Sequence, residues 1–174
     1  MCLFCSHLQL YFLVEQDVGI ESTRLEVIIN LFSKIIEEPF FHQLRTKVQF
    51  GYVVDCGPRT IYRVLGYCFR VQSSEYSPIH LHGRIDNFIN GLRDLLESLD
   101  DKSFESYRSG LMAEKLEKAP SLLYETANYW DEIVNKRFSH KFLHLLHNFA
   151  VSSTFHIIAT LFLCNLCSSS ASTV

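Results

Sequence analysis

No run of lysine and arginine in the 174 residues is long enough to grip phosphates, and 16 basic against 19 acidic side chains leave a formal charge of -3. With an isoelectric point near 6.2, the chain has no electrostatic footprint for nucleic acid, which is excluded as a partner class. The apolar N-terminal stretch MCLFCSHLQLYFLVEQ has neither a basic n-region nor a small-residue cleavage site, so no secretory signal is expected there. Without export, the six cysteines are expected as thiols rather than as a disulfide framework. Charge is missing from one end as well: the last charged side chain is Lys141, and residues 142–174 carry none apart from protons taken up by histidines. No period long enough to be a structural repeat occurs.

What is present fits one domain. At 48% apolar and 20% charged residues, a chain of this length can bury one ordinary core. Leu8, Leu10, Phe12 and Val14 alternate as one face of a strand. Thr23 and Glu26 form a T-x-x-E capping box, after which Leu25, Ile28, Ile29, Phe32, Ile35 and Ile36 recur at helical spacing until Pro39, where the helix is expected to break. A short second helix is expected after Pro39 with Phe41, Leu44 and Val48 inward and Gly51 as its left-handed cap, which puts Arg45 on the opposite face. Strands are predicted over 52–56 and 61–72, joined by a hairpin turn at Gly57, Pro58, Arg59 and Thr60. Leu65, Tyr67, Phe69 and Val71 alternate in a strand expected to be central. Beyond Pro78, the stripe Ile85, Phe88, Ile89, Leu92, Leu95, Leu96 and Leu99 predicts a helix; Asp100 and Asp101 are expected to cap another over 102–118. Ser121, behind Pro120, opens a last helix with Leu123, Ala127, Trp130 and Val134 on one side. Strands first and helices later give an α+β fold, an antiparallel sheet covered by helices.

The segments LRTKVQFGYVVDCGPR, YRVLGYCFRVQSSEYSP, GRIDNFINGLRDLLESLDDKSFESYRSGL and YWDEIV, in that order, closely resemble the last domain of the insulin-degrading enzyme family, and plant-type members look nearest. The resemblance covers residues 10–138, leaving 1–9 as a divergent N-terminus and 139–174 as a divergent, uncharged, apolar tail. It implies one domain of a two-halved clamshell of zinc endopeptidases, whose H-x-x-E-H zinc site lies in the first domain of the N-terminal half. That motif is absent from this sequence, since His80-x-His82, His140-x3-His144 and His144-x2-His147 supply neither it nor H-E-x-x-H. The chain is therefore expected to be the non-catalytic C-terminal domain, inactive alone and binding no zinc itself, with peptide substrate and the catalytic N-terminal half as its partners. The resemblance also implies a cytosolic or peroxisomal setting, although no SKL-type ending is present.

The same resemblance assigns Arg45 and Tyr52. In the family an arginine and a tyrosine seven residues apart, in a segment of this form, reach across the clamshell to the substrate beside the zinc. A guanidinium fork and a phenol hydroxyl can both donate to a peptide carbonyl and offset charge developing on it. Val48 and Phe50 stand where the family usually has an acidic residue and a leucine.

Other arrangements compete with this reading. Cys2-x2-Cys5 and Cys164-x2-Cys167 have knuckle spacing, but both lie in Leu/Phe-rich runs at opposite ends of the chain and read as inert thiols rather than zinc ligands. Cys56 and Cys68 are expected as a reduced pair across the hairpin. His140, His144 and His147 share one helical face without a carboxylate and read as a polar face. Residues 149–167 form an uncharged run of nearly membrane-spanning length, though Ser152, Ser153, His156 and Asn165 tax insertion; an altered transcript end is the preferred reading of this tail. Besides the substrate-binding domain, two alternatives stand: an interaction module that pairs with full-length family members, and a tail-anchored protein whose membrane contact would come only through the tail.

Overall fold

The computed structural model describes residues 6–16, 19–47 and 53–134. Strand β1 (Ser6–Gln16) is followed by helix α1 (Gly19–Phe41), a π-helical turn (His42–Lys47), the hairpin strands β2 (Val53–Ile61) and β3 (Val64–Ser73), and helices α2 (Pro78–Glu97), α3 (Asp101–Leu116) and α4 (Leu122–Val134). The sheet is antiparallel in the order β1-β3-β2, so β3 is central, as its alternation predicts, and the fold is α+β.

One sheet face is packed against helices. Leu65, Tyr67, Phe69 and Val71 of β3 are buried against Ile29, Phe32, Ile35, Ile36 and Phe40 of α1 and against Leu81, Ile85, Phe88, Ile89 and Leu92 of α2. On the other face Tyr11 lies across Gly66, where an added Cβ would come within 2.4 Å of the ring, and the Tyr11 hydroxyl donates to the Arg59 carbonyl at 3.1 Å. The glycine is thus explained by close approach. Arg70 grips Asp55 of the neighbouring strand through Nε at 2.9 Å and through its terminal nitrogen, closing the ladder with a bidentate pair on the exposed face.

Helix ends follow local rules at α2 and α3. Ser77 accepts from the His80 amide at 3.4 Å with Pro78 opening the helix, and Asp100 accepts from the Ser103 amide at 3.4 Å; the Ser103 hydroxyl first, and then that amide, hold its carboxyl below the usual carboxylate range. Lys34 of α1 meets Glu114 of α3 at 2.6 Å; the hydrogen bond between them, and then their opposite charges, hold the Glu114 carboxyl down and the Lys34 ammonium up.

Four expectations are corrected. Pro39 does not break the helix: α1 runs through it to Phe41, because Ile35, Ile36 and Phe40 are all at most 1% exposed and their packing outweighs the amide hydrogen bond that proline cannot donate. The expected second helix is a continuation, wound more widely as a π turn. The T-x-x-E box lies inside α1, which already begins at Gly19. The hairpin turns at Tyr62 and Arg63, with φ of 49° and 65°, and not at Gly57–Thr60, which belongs to β2. A two-residue turn with positive φ at both positions matches the twist of the flanking strands, and Pro58 is tolerated because, among the described residues, β2 lies at the edge of the sheet.

Helix α4 has the expected apolar side, but that side is uncovered: Leu122, Leu123, Trp130, Ile133 and Val134 are all more than half exposed. Among the described residues no helix is long and apolar enough to cross a membrane.

Candidate functional site

Arg45 sits in the π-helical turn that carries α1 towards β2. Its neighbour Leu44 is 2% exposed and fixes the turn to the core, while Arg45 itself is exposed, on the side away from Leu44 as the periodicity predicts. Its guanidinium carbon lies over the Phe41 ring, 5.0 Å from the centroid. Phe41 was expected inward with Leu44; it is instead 39% exposed, whereas Phe40 beside it takes the core position at 0%. The cause is that α1 runs through Pro39 without a break: its buried stripe of Ile29, Phe32, Ile36 and Phe40 continues in register and puts Phe41 about 100° round the helix from Phe40, outside the core and one turn before Arg45.

Tyr52, Gly51 and Val48 lie outside the described residues, as do His140, His144, His147 and Cys2, Cys5, Cys164 and Cys167. Tyr52 directly precedes Val53, the first residue of β2, which pairs with Gln72. Beside this junction an open cleft of about 300 Å³ is lined by Lys34, Glu37, Glu38, Phe41, Val54 and Asp55. Two of its charges are engaged elsewhere, Lys34 by Glu114 and Asp55 by Arg70.

The two described cysteines are free and buried, and they point to opposite faces of the sheet: Cys56 is opposite Phe69, whereas Cys68 is opposite Gly57. A disulfide between them is therefore ruled out by register. Cys56 belongs to a buried polar group under β2, in which the Tyr67 hydroxyl donates to Ser33 Oγ at 3.3 Å and lies against the thiol. Burial pushes both the thiol and the phenol up, so neither serves as a base or nucleophile near neutral pH. Among the described residues no group of three His, Cys, Asp or Glu side chains is placed to hold a metal, and these residues do not fit the zinc of a peptidase centre.

The residue that sequence reasoning missed is Phe41. An aromatic and an arginine four apart, in FFHQLR, was the signal that could have found it, because residues at that spacing meet on one side of a helix.

Comparison with known proteins now bears on this arrangement. A family model described as PQQ synthase PqqF-like, C-terminal lobe domain 4, matches residues 31–130. A nardilysin-like protein of Arabidopsis thaliana is 56% identical over 139 residues, which are 80% of this chain and 14% of that protein. The insulin-degrading enzyme of Homo sapiens is 33% identical over 123 residues, 71% of this chain and 12% of that protein. The crystal structure of pitrilysin superposes with a TM-score of 0.71 at 22% identity, covering 91% of this chain and 16% of that one, which shows a shared fold. The chain thus spans only about an eighth of the length of the curated relatives it matches. Matched by a lobe-domain model over more than half its length and by relatives across most of it, the chain belongs to the insulin-degrading enzyme and pitrilysin family of metallopeptidases and corresponds to a domain of their C-terminal part.

Proposed function

We propose that residues 10–138 form the substrate-holding, non-catalytic domain of a zinc endopeptidase, working beside a catalytic N-terminal half in the cytosol or the peroxisome. Arg45 and Tyr52 donate hydrogen bonds to a carbonyl of the bound peptide. The observation that carries this reading is the placement of Arg45: exposed at the end of a helix pinned by Leu44, held over an aromatic ring, and seven residues before a tyrosine that leads into β2. An oriented guanidinium aimed at a carbonyl is worth most when negative charge develops there, in a site that water has left. The zinc and the water it activates belong to the catalytic half, since the H-x-x-E-H motif is absent from this sequence.

Two outcomes follow. The purified chain alone leaves fluorogenic peptides uncut with or without added zinc, and chelator-sensitive cleavage by it would refute the assignment. In an intact peptidase of the family carrying residues 31–130 of this chain in place of its own, Arg45→Ala and Tyr52→Phe each lower kcat/KM by roughly tenfold to a thousandfold, the range for losing a preorganised donor. Zinc content stays unchanged. Arg93→Ala, on the exposed side of α2, removes the same charge and leaves the rate alone. Silent Arg45 and Tyr52 variants in a folded, zinc-loaded protein, or an equally damaging Arg93→Ala, would remove the substrate-contact role.

A further inference from the structure

We propose that Phe41 is the positioning residue for Arg45, holding its guanidinium by a cation–π contact that leaves the hydrogen-bond donors free for a peptide carbonyl; this rests on the reading of Arg45 as a substrate contact. Three observations support it. The Arg45 guanidinium carbon stands 5.0 Å from the Phe41 centroid, within the range of such contacts. The ring remains 39% exposed although a fully buried phenylalanine precedes it, so it is not placed there to fill the core. Among the described residues, no carboxylate forms an ion pair with Arg45.

The choice of partner has a chemical consequence. A carboxylate would orient the guanidinium by occupying its N–H groups, and the substrate carbonyl would then compete with an anion for them. An aromatic face attracts the same cation through its quadrupole and uses none of the five donors. The backbone supports the stack: α1 ends at Phe41, the wider turn begins at His42, and the buried Leu44 fixes the turn from which Arg45 projects. A long side chain that would otherwise sample many rotamers is thereby restricted before substrate arrives, and less ordering remains for the binding step.

The test has one arm in the chain itself and one in the intact enzyme. In the isolated chain, NMR should find the Arg45 side-chain protons shifted upfield by the ring, with the shift lost in Phe41→Leu and kept in Phe41→Tyr. In the intact peptidase carrying residues 31–130 of this chain, Phe41→Leu should lower kcat/KM about two- to fivefold, the range of an exposed cation–π contact. Phe41→Tyr should restore the rate, and Phe41→Leu added to Arg45→Ala should cost nothing further. Unshifted Arg45 protons, a failed rescue by tyrosine, or a full additional loss in the double variant would each overturn the proposal. A damaging Arg45→Ala with a silent Phe41→Leu would overturn it alone, whereas a silent Arg45→Ala would overturn the substrate reading beneath it as well.

Discussion

Phe69→Ala is expected to lower the stability of the chain by about 3–5 kcal/mol, the range for deleting a buried phenylalanine, against a total of about 5–15 kcal/mol for a typical domain. Phe69 is 0% exposed in the central strand and meets rings from three directions: Phe12 of β1 at 5.9 Å, Phe40 of α1 at 5.2 Å and Phe88 of α2 at 6.4 Å. Tyr67, two residues along β3, adds a contact at 5.1 Å. Because those neighbours belong to three separate elements, no single shift can close the space, and the cavity term is added to the lost transfer energy. Chemical denaturation followed by circular dichroism measures the change. Phe69→Leu, which keeps much of the volume, should cost clearly less, and Ile79→Ala, at a side chain 86% exposed, should cost almost nothing. If Phe69→Ala shifts the midpoint no more than Ile79→Ala does, the ring cluster is not what holds sheet to helices.

The same residues explain how much of the fold could be read in advance. The alternation of Leu65, Tyr67, Phe69 and Val71 placed β3 at the centre, and the spacing from Ile85 to Leu96 placed the buried face of α2, because burial against a partner imposes a fixed period on each. Local punctuation misled where tertiary packing outweighed it. Pro39 looked like a stop, yet the buried residues on both sides of it carried the helix through; Gly57 and Pro58 looked like a turn, yet the ladder to β3 continued to Ile61. Tyr62 and Arg63, which make the real turn, lack the glycine or asparagine by which such turns are usually recognised.

At the candidate site, helical spacing alone put Arg45 away from the core, and the structure agrees. The role of Arg45 was legible only through the resemblance, since an exposed arginine on a helix end is ordinary. The platform under it was not anticipated. Phe41 faces outward because α1 continues through Pro39 and its buried stripe falls on Phe40; reading Pro39 as a stop restarted the period one residue later and hid this.

Cys56 is expected to alkylate about a thousandfold more slowly in the folded chain than in the unfolded one at pH 8. The residue is 8% exposed, and burial, the largest cause, pushes its thiol from an ordinary value of 9.0 to about 12. The Tyr67 hydroxyl, which can turn its one proton from Ser33 to the thiolate, offsets part of that rise, whereas negative charge on Glu37 and Asp55 adds to it. About three pH units of displacement remove about three powers of ten from the thiolate, which is the species that attacks iodoacetamide. Cys68 makes an internal comparison: burial raises it too, but the charge and hydrogen bond of Arg59 pull it back, so it should label faster than Cys56. Peptide mass spectrometry separates these two sites from the other four cysteines. The sign for stability follows from the same displacement. A thiol raised in the folded state leaves stability intact below pH about 9 and withdraws it as the pH climbs from there towards about 12, because the unfolded chain ionises first. Rapid labelling of Cys56 while circular dichroism still shows a folded chain would mean that β2 opens readily from α1, and the buried group of Cys56, Tyr67 and Ser33 would then not be a fixed part of the core.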